Sequence, residues 1–342
     1  MSNLSKIFFQ QTNYIPIWLM RQAGRFLPEY RNIRSSLSNF LELCYNSNLA
    51  YEVAMQPIDR FNFDAAILFS DILVIPDAMG YQVRFIKDKG PQLQKISLKD
   101  IENLHKYDFN ILLDKLKPSY DTIKKLRTSL SYDKSVIGFC GAPWTVATYM
   151  INGGSSQDHS YTRLFAYKER KKFLKLLDFL TELSALYLIE QIKAGADIIQ
   201  IFDSWSGILS YDEFKDYCIK PTHKMVKIIN KQFPSIPIIG FPKGANNFLN
   251  EYIENTKISG LSLDWRIDYK TINSFKDKVV VQGNLDPLIL VSGGKLLESK
   301  IEEIINNLKK QKFIFNLGHG ILPQTPIENV NFLVEKVKSY NV

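Results

Sequence analysis

The chain has 342 residues, 45% apolar and 23% charged, with a formal net charge of +8. That size and balance fit one large α/β domain or two average ones. The lysines are scattered, with no basic run interleaved with aromatics, which argues against a nucleic-acid binder. Three distant cysteines, Cys44, Cys140 and Cys218, argue against a disulfide framework or a structural zinc site and fit a reducing compartment.

The chain opens on "MSNLSKIFFQQTNY", whose apolar patch is broken by Gln10, Gln11 and Asn13 and is no signal-peptide core. A cytoplasmic protein is expected. Next comes "WLMRQAGRFLPEYR", with Arg21, Arg25 and Arg31 among Trp18, Met20, Phe26, Leu27 and Tyr30, and Arg34 just beyond. Before Glu29 there is no acidic residue to balance them. These arginines either lie in solvent over apolar neighbours or clamp carboxylates through paired hydrogen bonds.

From residue 65 a pattern sets in. Short apolar runs end abruptly in polar or glycine-rich residues, and an amphipathic stretch follows. The runs are "AAILF" before Ser70-Asp71, "VIGFC" before "GAPW", "DIIQIF" before "DSWSG" and "IPIIGF" before "PKGA". Then come "GLSL" before "DWR", "VVVQ" before "GNLDP" and "FIFNL" before "GHG". The runs do not alternate with polar residues, as expected of parallel strands buried on both faces. The stretch 65–79 is interrupted by Ser70, Asp71, Pro76 and Asp77, so it is too polar to cross a bilayer.

Helical spacing covers 166–194 and stops at Gly195. Ser210 with Glu213 reads as a capping box, as does Thr325 with Glu328, with Pro326 at the first helical position. These are seven β-then-α passages with no linker between them. The expected fold is a single-domain (β/α)8 TIM-type barrel over 1–342. No eighth strand is evident.

In such a barrel the strand ends share one face, where active sites lie. That face would gather Asp71, Tyr149, Asp203, Ser204, Asp264, Asn284 and His319. Asp71 is either a turn former or a fixed anion beside a developing cation. At ~4 Å and an effective dielectric near 20, that attraction is roughly 4 kcal/mol, about a thousandfold in rate. "GHG" lacks the context of a dinucleotide fingerprint. None of His105, His159, His223 and His319 lies in a metal-ligand motif. The residues amount to an inventory for an enzyme without metal or cofactor.

"PIWLMRQAGRFLPEYR" and "GFCGAPWTVATYM" closely resemble the two signature segments of the uroporphyrinogen decarboxylase family. "FSDIL", "IFDSWSG", "LDWRID", "VQGNLDP" and "NLGHG" follow in the family's order, so the resemblance spans essentially the whole chain. It implies a cofactor-free barrel, a homodimer, converting uroporphyrinogen III to coproporphyrinogen III by removing four acetate carboxyls. By that resemblance Arg21, Gln22, Arg25 and Arg34 bind substrate. Asp71 accepts the pyrrole N–H groups and stabilises the protonated pyrrole. Tyr149, Ser204 and His319 make polar contacts, and Phe202 is an aromatic wall. Asp71, Arg21 and Tyr149 form the catalytic set, and a proton relay through water, Tyr149 or His319 is open.

Three features depart from the family pattern. The segment 81–91 is unusually basic, Ser206 replaces a glycine, and Arg266 follows Leu-Asp-Trp. Arg266 either adds another substrate carboxylate contact or faces solvent. A corrinoid-linked methyltransferase on the same scaffold would carry a late His-x-Cys motif. Here Gly240-Phe241-Pro242 stands at that position, and no cysteine follows Cys218.

Overall fold

A computed structural model describes residues 2–86 and 90–340. The seven apolar runs are strands: β1 Ala65–Ile67, β2 Ser135–Gly141, β3 Ile198–Asp203, β4 Ile238–Pro242, β5 Gly260–Ser262, β6 Val280–Leu285 and β7 Phe313–Leu317. They pair in parallel in chain order. Every residue of β2, β3, β4, β6 and β7 is buried, which is why the runs do not alternate.

The eighth position is filled from the N-terminus. Ile17 bridges Phe315 in parallel. Phe315 N–H donates to the Pro16 carbonyl at 2.8 Å, and Trp18 N–H to the Phe315 carbonyl at 3.4 Å. On the other side, Ile17 N–H donates to the Asp64 carboxylate at 2.7 Å, and Asp64 N–H returns to the Ile17 carbonyl at 3.0 Å. Residues 16–18 therefore join β7 to β1 and complete the barrel. The stretch just before Arg21 is the missing stave, so Arg21 emerges at its end.

Large side chains fill the barrel. Trp18 is fully buried, and its indole N–H donates to Gln282 Oε1 at 2.9 Å. Gln282 in turn donates to Gln200 at 3.2 Å and Ser262 at 3.1 Å, which ties three strands to the N-terminal stave. Buried amides of this kind stay only when partnered. Outside, the helix Arg170–Lys193 buries Phe173, Leu176, Leu177, Leu180 and Leu183, with Phe173 edge-on to Trp144 and Tyr217 at 6.0 and 4.8 Å. Each such residue contributes about 1.5–3 kcal/mol by leaving water. Gly138 lets that helix close in: a Cβ there would stand 2.5 Å from Gln191 Oε1. Gln191 instead pairs with both main-chain groups of Phe139, at 2.8 and 3.0 Å.

Two expectations need correction. The helix expected over 166–194 is two helices, Ser160–Lys168 and Arg170–Lys193, because Glu169 leaves helical geometry. The expected capping box at Thr325 does not form. The helix runs Ile327–Lys338 with Pro326 as its flanking residue, and Thr325 Oγ1 is buried without a partner. Thr325 N–H closes a turn onto the Leu322 carbonyl, which places its hydroxyl too early in the chain to meet the helix's free amides. The box at Ser210 forms, with Ser210 N–H on Glu213 Oε2 at 2.8 Å.

In the basic stretch 81–91, Arg84–Ile86 pairs antiparallel with Gly90–Gln92. Lys87, Asp88 and Lys89 of that stretch lie outside the described residues. Among the described residues no helix is long and apolar enough to cross a membrane.

Candidate active site

The strand ends carry the polar residues, and the two long sequence segments hold them in place. Arg21 follows the N-terminal stave with φ +61°, a left-handed turn that arginine adopts only under constraint. Gln22 supplies that constraint. It is buried, its Oε1 accepts Leu19 N–H at 3.1 Å, and its Nε2 donates to the Ala65 carbonyl of β1 at 2.9 Å. Both ends of Gln22 are thus engaged by main chain, so it positions Arg21 and does not face the mouth. Met20 N–H is held by Asn316 Oδ1 at 2.9 Å. The Arg21 side chain then crosses Gly320, where a Cβ would meet its Cδ. The second glycine of "GHG" is the space Arg21 occupies.

"GAPWT" builds the opposite wall. The Trp144 indole N–H donates to the Trp205 carbonyl at 3.0 Å, and Thr145 Oγ1 donates to Asp203 at 2.6 Å. A Cβ on Gly141 would come within 2.8 Å of Ile72 Cβ, so this glycine lets the residue after Asp71 pack onto β2. Tyr149, on the helix Pro143–Asn152, tilts its ring toward Trp205 at 6.4 Å.

Asp71 is the carboxylate in this space. Its Oδ1 accepts Leu73 N–H at 2.8 Å, so the turn-forming role is real. Oδ2 accepts nothing from the described residues and is left for another donor. Some surface of Asp71 remains accessible, yet its carboxyl is pushed up from 3.8 to about 6. Loss of hydration is the main cause, and the Leu73 amide and Arg21 oppose it. Burial likewise raises the Tyr149 hydroxyl, with Trp205 and Arg21 opposing and Asp71 reinforcing. Asp71, Arg21 and Tyr149 therefore act on one another electrostatically.

His319 is half-buried and pushed down to about 3. Burial is the main cause, followed by Arg21 and Lys243, with Asp264 opposing. It is a neutral imidazole near pH 7, and its Nδ1 has no partner among the described residues. Its ring lies 6.2 Å from Phe241, which meets Phe202 edge-on at 6.3 Å; Phe202 meets Phe139 at 5.5 Å. These rings give the mouth an apolar floor. Ser204 stands half-buried at the end of β3.

Not every strand-end residue faces the mouth. Asp203 is turned into the helical layer, where Thr145 holds Oδ1 while Oδ2 is unpaired. Burial pushes its carboxyl up to about 6 despite Thr145 and Cys218. Asp264 is buried and structural as well. It accepts Gly244 N–H and Arg266 N–H, each at 2.9 Å, and pairs with the Arg266 guanidinium at 3.0 Å. Asn284 hangs beneath it, donating to the Asp264 carbonyl at 3.3 Å.

Among the described residues, Arg21, Arg25 and Lys243 make no hydrogen bond or ion pair through their side chains, and Arg34 reaches only the Leu37 carbonyl at 3.0 Å. Lys243 was not a sequence candidate, because "PKGA" reads as a turn after β4. Its position at a strand end was the available signal.

A model of the uroporphyrinogen decarboxylase family matches residues 4–340. The chain belongs to the uroporphyrinogen decarboxylase family. It is 49% identical over 323 residues to the uroporphyrinogen decarboxylase of Chelativorans sp. strain BNC1, covering 94% of each chain. That of Mesorhizobium japonicum is 49% identical over 324 residues, covering 95% of this chain and 94% of that one. Membership makes the chain an enzyme, a decarboxylase of porphyrin biosynthesis. A methyltransferase from Methanosarcina mazei superposes with a TM-score of 0.79 at 20% identity, over 98% of this chain and 96% of that one. At that identity the likeness concerns the barrel fold alone.

Proposed function

We propose that the chain removes the four acetate carboxyls of uroporphyrinogen III, giving coproporphyrinogen III without metal or cofactor. The observation that carries this reading is the free edge of Asp71, a carboxylate oxygen without a donor among the described residues, set beside the unpaired Arg21. Such a mouth suits a ligand with a cationic or N–H-rich centre and an anionic rim.

Each cycle consumes one proton and releases one carbon dioxide. A proton adds to the pyrrole carbon next to the acetate-bearing carbon and makes the ring cationic. The bond to the carboxylate breaks, its electron pair enters the ring, and carbon dioxide leaves. A proton then adds to the exocyclic carbon to make the methyl, and the ring releases the proton it first took up. Asp71 Oδ2 faces the pyrrole N–H groups and stabilises the cation as it grows, an interaction stronger in the transition state than before it. Arg21, Arg25 and Arg34 hold carboxylates by charge-assisted hydrogen bonds. Phe202 and Phe241 keep water from the ring face. Tyr149 stays protonated and donates a hydrogen bond. His319 is neutral near pH 7, so it serves as a hydrogen-bond partner or relay rather than as a store of a proton. Ser204 makes a polar contact at the rim.

The test is incubation of purified chain with uroporphyrinogen III under reducing conditions with chelator present, followed by chromatography of the oxidised products. Successive seven-, six-, five- and four-carboxyl species are expected. No loss of carboxyl groups, or a strict need for added metal or nucleotide, would overturn the reading. The working form would be a cytoplasmic homodimer, which sedimentation of the active protein tests.

A further inference from the structure

The barrel's circular order puts β4 four positions from the N-terminal stave, on the far side of the mouth. Arg25 and Arg34 follow that stave; Lys243 and Arg266 follow β4 and β5. We infer that Lys243 and Arg266 form a second carboxylate-binding corner, which receives the substrate carboxylates farthest from Arg25 and Arg34. This rests on the polycarboxylate reading above and extends it to a corner with a different architecture.

The corner is built rather than incidental. Lys243 N–H donates to the Asp203 carbonyl at 3.1 Å, and the Lys243 carbonyl accepts Ser206 Oγ at 3.1 Å. Ser206 Oγ also donates to the Asp203 carbonyl at 2.9 Å, so it ties the loop after β3 to the loop after β4. Arg266 is anchored by one guanidinium nitrogen to Asp264, whose side chain is fully buried. Gly244 makes the room: a Cβ there would stand 2.6 Å from Arg266 Nη2, and its φ of +82° also favours glycine. Asp264 holds Arg266 with one oxygen while accepting two main-chain amides, so most of the guanidinium's five donors remain free. More than half of the Arg266 side chain is exposed.

Lys243 has no carboxylate partner among the described residues. Burial, then Arg266 and Arg21, push its ammonium below the usual lysine range, and Asp264 only partly offsets them. Like charges crowded this way repel one another until an anion enters. A ligand with carboxylates on every edge supplies anions to both corners at once.

The test compares the full-length wild type with Lys243→Met, Arg266→Gln and the charge-keeping Lys243→Arg and Arg266→Lys. Binding of oxidised coproporphyrin, a stable tetracarboxylate, is measured by fluorescence quenching across a salt series. KM and kcat for uroporphyrinogen III are measured alongside. The neutral variants are expected to weaken porphyrin binding about five- to tenfold and to flatten its salt dependence, and their kinetic loss falls chiefly on KM. The charge-keeping variants are expected to recover most of the affinity. Unchanged affinity and salt slope in both neutral variants, in folded protein, would overturn the corner. So would equal loss in the charge-keeping variants, which would mark a packing role. Wild type that binds porphyrin but does not decarboxylate would instead sink the proposed reaction and leave the binding corner to be judged on affinity.

Discussion

Three arginines outside the mouth, Arg60, Arg127 and Arg163, contrast with Arg21 and Arg25, which are exposed and unpaired among the described residues. Arg60 closes a two-pronged pair on Glu29 at 2.8 and 3.1 Å. Arg163 does the same on Glu213 at 3.1 and 2.9 Å and adds Tyr167. Arg127 meets Asp197 at 2.9 Å and also reaches the carbonyls of Lys134, Leu130 and Ser131. These three arginines engage their donors within the fold. At the mouth, Arg21 and Arg25 have no such partners, although Arg21 is held in a strained turn. Strain without internal reward is a sign that the partner comes from outside.

The contrast can be broken by exchanging the outcomes. Arg21→Ala or Arg25→Ala is expected to cost about 2–5 kcal/mol in kcat/KM, the usual loss on truncating one member of a charged, hydrogen-bonded pair. Thermal unfolding should hardly move, because neither side chain supports the fold. Steady-state kinetics and calorimetry on the same samples check both halves. Wild-type kinetics would return these residues to the class of solvated surface arginines.

Arg163→Ala should behave in reverse. It leaves Glu213 buried with half its partners, and Glu213 is held down at about 2 by Arg163, Tyr167 and Ser210 against burial. Arg163 is about one-third exposed, so the discounted cost is about 1–3 kcal/mol of stability. Glu213's folded pKa lies below its unfolded value. Its contribution is therefore present above the unfolded value near 4.5 and lost as pH falls toward about 2. The wild-type stability advantage over Arg163→Ala, followed by chemical denaturation, should shrink across that window.

Gly320→Ala is a smaller change with a directed effect. The added methyl meets the stem of Arg21, so the guanidinium must move. A loss of about tenfold in kcat/KM is expected, with the fold kept, since misplacing a positioning group by about an ångström is costly. Wild-type activity would show that Arg21 does not work from the place it occupies.

The pH profile sharpens the account further. With the Asp71 carboxyl near 6, the free enzyme's kcat/KM should fall about tenfold per pH unit below that value, as the anion is lost. This limb should vanish in Asp71→Asn.

Much of this was legible in the sequence. The seven strands of the large sheet show as apolar runs because burial on both faces removes alternation. The eighth stave did not show. It contains Pro16, pairs through a single bridge, and takes one of its hydrogen bonds from the Asp64 side chain. Nothing local in "YIPIWLM" reports that. Arg21, Asp71, Ser204 and His319 follow barrel strands, whereas Arg34 and Tyr149 lie on helices, and side-chain direction is not legible in the sequence. Gln22 and Asp203 turn inward to hold loops, while Lys243, read as part of a turn, faces the cationic mouth. Arg266 is largely exposed, as one of its alternatives has it, but its anchor on Asp264 is a pairing the sequence does not announce.

The free oxygen of Asp71 is the centre of the proposed chemistry. Its raised pKa means that folding disfavours the ionised form. Stability is greatest with the group protonated, below 3.8, and is lost as pH rises through about 6. Asp71→Asn keeps an acceptor for Leu73 N–H and removes the charge, so at pH 7.5 its unfolding temperature should be equal to or above wild type. Single-turnover decarboxylation of uroporphyrinogen III by the same protein should fall by roughly two to three orders of magnitude, following the ~4 kcal/mol attraction between the anion and a pyrrole cation. A near-normal single-turnover rate in folded Asp71→Asn would contradict the account and leave Asp71 as nothing more than the turn it caps.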